Sequence, residues 1–289
     1  MSKIGAKRER PGYTLESVTA KDGSILTYRQ LGQGPGILLL HGGLQAAQNL
    51  MSLASALSNA FTLYVLNRRG RGSGTYLPDY SIQTDREDVE AVLSKTGASR
   101  IFGLSAGGLI ALEAARHLPG LRRVALYEPP ISIRQSSPTE WLGRFDKEIA
   151  ARNPAAALAT ALKGTQTSPM LARVPHFLLV PLFRFMLDRD RQNHCRDDIP
   201  LEDIIPTMRY DVQLSKDTEG MLPSFATIDA DVLLMGGSKS PPYLRLALDE
   251  LAAVLPHAQR VELRGLDHQA PDNSEQPERV AAALREFFA

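Results

Sequence analysis

The chain has 289 residues, 43% hydrophobic and 22% charged, which is enough for one large mixed domain or two small ones with a well-buried core. Its 33 basic and 32 acidic side chains leave a formal net charge of +1, so no whole-chain basic field points to nucleic acid as a partner. The single cysteine, Cys195, excludes an intramolecular disulfide or a multi-cysteine metal site and suits a reducing cytoplasm, the expected location.

Residues 1–12 are polar, carry Lys3, Lys7, Arg8 and Arg10, and lead into no apolar run. They read as a solvated, flexible tail and not as a secretory signal. Tyr13–Thr19 and Ser24–Leu31 are strand-like runs around Lys21-Asp22-Gly23, a hairpin turn. Gly32-Gln33-Gly34-Pro35-Gly36 breaks the chain before Ile37–Leu40, a continuous aliphatic run that fits a strand covered on both faces. Such runs are far too short to span a bilayer, and no membrane association is expected.

Strands and helices then alternate. A helix is predicted over Ala46–Ser58, a strand over Phe61–Leu66, and a helix from Ser81 to Lys95 that stops at Gly97. Arg100–Leu104 is a strand, Ala106–His117 a helix and Val124–Tyr127 a strand. That order implies a parallel sheet with helical crossovers. After Glu128-Pro129-Pro130 the alternation stops. Residues 131–205 read as helices interrupted by Pro154, Pro169, Pro175, Pro181 and Pro200, an inserted helical cap between two core segments, 13–130 and 206–289. Within it, Trp141, Phe177, Phe183 and Phe185 are read as cap core, with the lining of an apolar pocket as the alternative. The strand Asp231–Met235, the helix Tyr243–Leu255, the strand Arg260–Leu263 and the helix Glu278–Phe288, introduced by Pro277, complete the chain.

Three segments carry chemistry. Gly103-Leu104-Ser105-Ala106-Gly107-Gly108 lies where a strand turns directly into a helix, the context of a nucleophile elbow with Ser105 at its tip. Leu40-His41-Gly42-Gly43-Leu44 ends the third strand. An acyl-transfer site needs two N–H donors for its oxyanion, and those of Ala106 and Gly43 are the candidates, with His41 shaping the loop. Gly265-Leu266-Asp267-His268 follows the last strand. A serine hydroxyl needs a base, and among His41, His117, His176, His194, His257 and His268 only His268 sits in the loop after that strand, at the elbow's sheet edge. Neither glycine-rich turn has G-x-G-x-x-G or a P-loop lysine, which sets nucleotide binding aside.

With these motifs the sequence resembles the α/β-hydrolase superfamily from Tyr13 to Phe288. Asn67-Arg68-Arg69-Gly70-Arg71-Gly72-Ser73-Gly74 is similar to that family's D-x-R-G-x-G-x-S stretch, with Asn67 in place of the aspartate. The resemblance implies a sheet of about eight strands flanked by helices, a serine nucleophile and no metal or organic cofactor. It argues against haloalkane dehalogenases and epoxide hydrolases, which use aspartate at the elbow. One departure stands out. The family places its acid after the seventh strand, where this chain reads Gly236-Gly237-Ser238-Lys239-Ser240-Pro241, without a carboxylate. The nearest replacement in sheet topology is Glu128, after the sixth strand, which resembles a branch that includes zearalenone-type lactone hydrolases. Glu128 as the start of the cap is the competing reading, and Asp267, beside the histidine, is the other acid at hand.

The expected activity is hydrolysis of an apolar carboxylic ester or lactone through an acyl-enzyme. Carbon–carbon bond hydrolases, thioesterases and cofactor-free haloperoxidases use the same serine and stay open, as does a non-enzymatic ligand-binding protein of this fold. The sequence leaves the oligomeric state open.

Overall fold

The computed structural model describes residues 12–72, 79–133, 139–166, 171, 173–193 and 195–289. All of the expected tail except Gly12 lies outside the described residues, as do Ser73, Gly74, Pro169 and His194.

Eight strands form one sheet: β1 (Thr14–Thr19), β2 (Ile25–Gly32), β3 (Gly36–Leu40), β4 (Thr62–Leu66), β5 (Arg100–Leu104), β6 (Arg123–Tyr127), β7 (Asp231–Gly237) and β8 (Ala258–Leu263). Their spatial order is β1-β2-β4-β3-β5-β6-β7-β8. β1 pairs antiparallel with β2, and β2 with β4, while every pair from β4 to β8 is parallel. The hairpin register matches Thr19 to Ile25 across the Asp22-Gly23 turn, where Asp22 Oδ1 accepts the Ser24 N–H at 3.0 Å.

The helices of the sheet layers are α1 (Met51–Leu57), α2 (Ile82–Thr96) and α3 (Ala106–His117). Between β6 and β7 come α4 (Leu142–Ala150), α5 (Pro154–Gly164), α6 (His176–Asn193), α7 (Leu201–Ile204) and α8 (Met208–Asp217), followed by α9 (Pro242–Val254) and α10 (Pro277–Phe288). Strand side chains alternate between the two faces of the sheet. Leu38, Ile101, Val124 and Leu234 pack on one face with α2, α3 and α9, and Ile37, Phe102, Ala125 and Met235 pack on the other with α1 and α10. This is the α/β-hydrolase fold. The predicted helix over Ala46–Ser58 is a 3₁₀ turn, Ala47–Leu50, that runs into α1. Asn67, in the family's aspartate position, accepts the Ala47 N–H at 2.9 Å through Oδ1, so it does its structural work without a charge.

The segment between β6 and β7 has its own apolar cluster, with Phe145, Leu158, Phe183 and Ile205 at its centre. Met208 closes this cluster, whereas Tyr210 and Leu214, further along α8, belong to the sheet core. Along α6, Leu179, Phe183 and Leu187 recur every fourth residue on the buried side. Phe177 and Phe185 lie about 200° around that helix from Leu179 and Leu187, and they are 72% and 61% exposed. Neither is core or pocket lining, which corrects the sequence expectation for these two rings. Among the described residues no helix is long and apolar enough to cross a membrane.

Candidate active site

Three strand ends and one loop converge at the C-terminal edge of the parallel sheet. At the end of β5 the chain turns into α3 through Ser105, at φ +53° and ψ −120°, a conformation a non-glycine residue holds only when its surroundings enforce it. Here the Ser105 N–H donates to Tyr127 O at 2.8 Å and its carbonyl accepts the Gly108 N–H at 2.7 Å. A side chain at Gly103 would meet Gly107 O at 2.3 Å, and one at Gly107 would meet Leu40 O at 2.6 Å, so the elbow tolerates only glycine on both sides. Ala106, the first residue of α3, has an N–H with no acceptor within the helix, at its positive end.

Glu128 directly follows β6, also at positive φ (+49°) and fully buried. Its Oε2 accepts the Nδ1–H of His268 at 2.7 Å, and its Oε1 accepts the Gly237 N–H at 2.6 Å. The carboxylate therefore lies across the end of β7, where the family pattern would place its acid. The glycines of that strand make the room: a Cβ on Gly236 would sit 2.8 Å from Glu128 Oε1. Ser238 Oγ accepts the Gly265 N–H at 2.8 Å, while Ser240 Oγ is buried without a partner among the described residues. Asp267 is exposed and turned away. Its Oδ1 accepts the Gln269 N–H at 3.0 Å, and its backbone oxygen accepts the Tyr127 hydroxyl at 2.7 Å.

His268 is 6% exposed, and the ring nitrogen opposite Glu128 is left to act as a base. His41 is of another kind. It is fully buried, its Nε2 accepts the Arg68 N–H at 3.3 Å, and burial with Arg71 and Arg68 nearby holds its pKa well below the usual histidine value. It is a neutral ring that props the loop after β3. In that loop the Gly42 N–H is taken by Gln45 Oε1 at 2.9 Å, which leaves the Gly43 N–H as the loop's candidate donor. Leu44 follows at φ +54°, so three of the positive-φ non-glycine residues, Leu44, Ser105 and Glu128, flank the same site.

Ser105 and His268 open on a cavity of about 370 Å³, roofed by Leu158, Leu162, Met186, Leu201 and Met208 from the helical segment. Gln45, Asn49 and Asp272 supply its polar wall. A larger hollow of about 600 Å³ shares Leu44, Asn49, Leu201 and Asp272 with it but contains neither Ser105 nor His268. Sequence reasoning missed Gln45 and Asp211. Asp211 binds Arg68 Nη2 at 2.9 Å and Arg71 Nη2 at 3.1 Å, and its carboxylate lies against Gly43. Gln45 stands directly after the quoted glycine loop, and that adjacency was the available signal. Asp211 is distant in sequence from every motif, and no local signal marks it.

Comparison with known proteins gives a consistent picture. A family described as "Alpha/beta hydrolase family" matches residues 37–283. The chain is 27% identical over 273 residues to a pimeloyl-[acyl-carrier protein] methyl ester esterase of Stenotrophomonas maltophilia, covering 89% of this chain and 94% of that one. It is 34% identical over 106 residues to an N-formylmaleamate deformylase of Pseudomonas putida, covering 35% of this chain. That match and one similar local match span only 40% and 43% of those relatives' lengths. The crystal structure of an alpha/beta hydrolase from Sphaerobacter thermophilus superposes with a TM-score of 0.76 at 27% identity, covering 95% of this chain and all of that one.

Proposed function

The chain belongs to the alpha/beta hydrolase family, and from that premise we propose that it is a serine hydrolase cleaving a carboxylic ester or lactone through an acyl-enzyme. The observation that carries this reading is the 2.7 Å hydrogen bond from His268 to the buried Glu128, beneath the cavity on which Ser105 opens. Similarity to a methyl ester esterase over most of both chains supports the ester class.

In the proposed reaction His268 Nε2 takes the Ser105 hydroxyl proton while Oγ attacks the substrate carbonyl carbon. Glu128 fixes the histidine tautomer and stabilises the imidazolium. The Ala106 and Gly43 N–H groups receive the oxyanion. Collapse of the tetrahedral adduct breaks the bond to the alkoxy oxygen, which takes the proton from His268. Water, deprotonated by the same ring, then releases the acid and regenerates the serine. Protons and electrons balance without a metal or organic cofactor. The helical segment over residues 131–205 acts as a cap, and its Leu and Met lining favours an apolar acyl chain or ring. An acid directly after β6 resembles the arrangement of the lactone-cleaving branch, which is why a lactone belongs in the first substrate panel.

The test is turnover of p-nitrophenyl esters, a lactone and an N-formyl amide, with fluorophosphonate labelling read by mass spectrometry. The parent protein should hydrolyse at least one ester or lactone and carry the label on Ser105. Ser105→Ala should remain folded, lose the label and lose turnover by a factor on the order of 10⁶. A parent that neither turns over nor labels would favour a ligand-binding role, and a labelled parent active only on the amide would move the substrate class.

A further inference from the structure

We propose that Gln45 is a positioning residue: it holds the Gly42–Gly43 peptide so that the Gly43 N–H faces the developing oxyanion, and Asp272 anchors it to the loop that carries His268. The inference rests on the Ser105–His268 reading above.

An oxyanion donor works only if it is fixed before the charge develops, and a glycine-rich loop has little stiffness of its own. Gln45 supplies that stiffness from both ends of its amide. It is 6% exposed, its Oε1 accepts the Gly42 N–H at 2.9 Å, and its Nε2 donates to Asp272 Oδ2 at 3.0 Å. The two partners fix the orientation of the amide, because an N–H needs an acceptor and a carboxylate needs a donor. The Gln45 backbone is held independently, its carbonyl accepting Arg71 Nε at 3.1 Å.

Asp272 is itself secured. Its Oδ2 also accepts Asn49 Nδ2 at 3.1 Å, and its Oδ1 accepts the Ser274 N–H and hydroxyl at 3.0 and 2.9 Å. Asn273 adds bonds to Gln48 O at 2.6 Å and from the Ser52 N–H at 2.7 Å. The oxyanion loop and the histidine loop are thus stitched into one unit, with Gln45 as the stitch nearest the reacting atoms. Without it the Gly42 N–H loses its acceptor and the peptide is free to rotate. That change is felt where negative charge develops, so it lowers kcat with little effect on KM.

The experiment uses the full chain, hydrolysis of p-nitrophenyl butyrate, and the rate of fluorophosphonate labelling. Gln45→Leu keeps the volume and removes both hydrogen bonds. It should lower kcat and the labelling rate by roughly 10- to 100-fold, below the full loss of an oxyanion donor, with KM within about twofold. Gln45→Glu gives a readout that packing alone cannot. The charged groups bonded to residue 45 are Asp272 and Arg71, and Arg71 is already paired with Asp211. Two carboxyls in hydrogen-bond contact share a proton, so the glutamate becomes protonated as pH falls. It then donates to Asp272 and accepts from Gly42 as the glutamine does. The ratio of variant to parent kcat should therefore rise as pH is lowered from about 8 to 5. A flat ratio, a Gln45→Leu kcat within twofold of the parent, or a loss confined to KM overturns the proposal. If Gln45→Leu does not fold, the Gln45→Glu ratio decides alone. A parent without turnover or label overturns the hydrolase reading and this inference together, whereas an active parent with a flat ratio overturns only the inference.

Discussion

The floor and the roof of the cavity are built by different physics. The floor consists of strand ends and short loops held in strained conformations by hydrogen bonds of 2.6–2.8 Å around Ser105 and Glu128, with a second carboxylate, Asp211, clamped by two buried arginines beside it. The roof is a set of helices joined through apolar side chains, and its longest helix is apolar on its solvent side as well, at Phe177, Leu178, Leu182 and Phe185. Directional contacts tolerate almost no displacement, and apolar packing tolerates exchange of like for like. The floor should therefore fail sharply when altered and the roof gradually, with reaction type residing in one and substrate choice in the other.

The sharpest break short of removing a reacting group is Gly236→Ala. Its new methyl would meet both Glu128 Oε1 and Leu248 within 2.8 Å, so one must shift. Displacing the carboxylate should lower kcat by roughly 10- to 100-fold, while the overpacking costs about 1–3 kcal/mol of stability. Parental kcat together with a lowered melting temperature would show that Leu248 yields instead, and that Glu128 has slack the account denies it.

How much of this was legible in the sequence follows the same divide. The elbow, the glycine loop and the histidine loop are local patterns, since tight turns select residue types at fixed spacing, and the parallel sheet followed from the alternation of elements. The gap at Gly236–Pro241 was visible only against the family's usual acid position, and Glu128 was reached from that resemblance as the acid one strand away. Gln45 was marked only by its place beside the glycine loop and Asp211 not at all, because their contacts with Asp272, Arg68 and Arg71 follow no spacing rule. On α6 the aromatic residues could be seen but not their direction. Phe183 faces inward and Phe177 and Phe185 outward, a distinction set by helix phase against a core the sequence does not display.

For the roof, Met186→Lys is the milder test, since Met186 lines the cavity yet is 38% exposed and should tolerate a charge without unfolding. A p-nitrophenyl ester with a medium apolar chain should lose about tenfold in kcat/KM, near 1.4 kcal/mol, with a smaller loss for the acetate. Equal losses for both would mean that this helix does not read the acyl chain.

The floor also carries a pH signature in stability. His41 is held neutral in the folded state, its pKa depressed by burial and by two arginines, whereas in the unfolded chain it titrates near its ordinary value of 6.5. The unfolded state binds the extra proton, so this contribution is present above pH 6.5 and is lost as pH falls below it. Each pH unit below that point should remove up to about 1.4 kcal/mol. Denaturant titrations of the parent and of His41→Asn at pH 7.5 and 5.5 measure it. The parent should lose more stability than the variant, and equal losses would assign the acid sensitivity elsewhere.

The central claim is that the histidine of this site takes its acid from the end of β6. It is tested most directly by the kcat of Glu128→Gln beside that of Asp267→Asn on one ester. Glu128→Gln should stay folded and lose on the order of 10⁴ in kcat, because the amide no longer holds His268 in the required tautomer. Asp267→Asn should stay within a few fold of the parent, since its side chain faces a backbone N–H and not the ring. Near-parental turnover in Glu128→Gln, with the large loss falling on Asp267→Asn, would contradict the account.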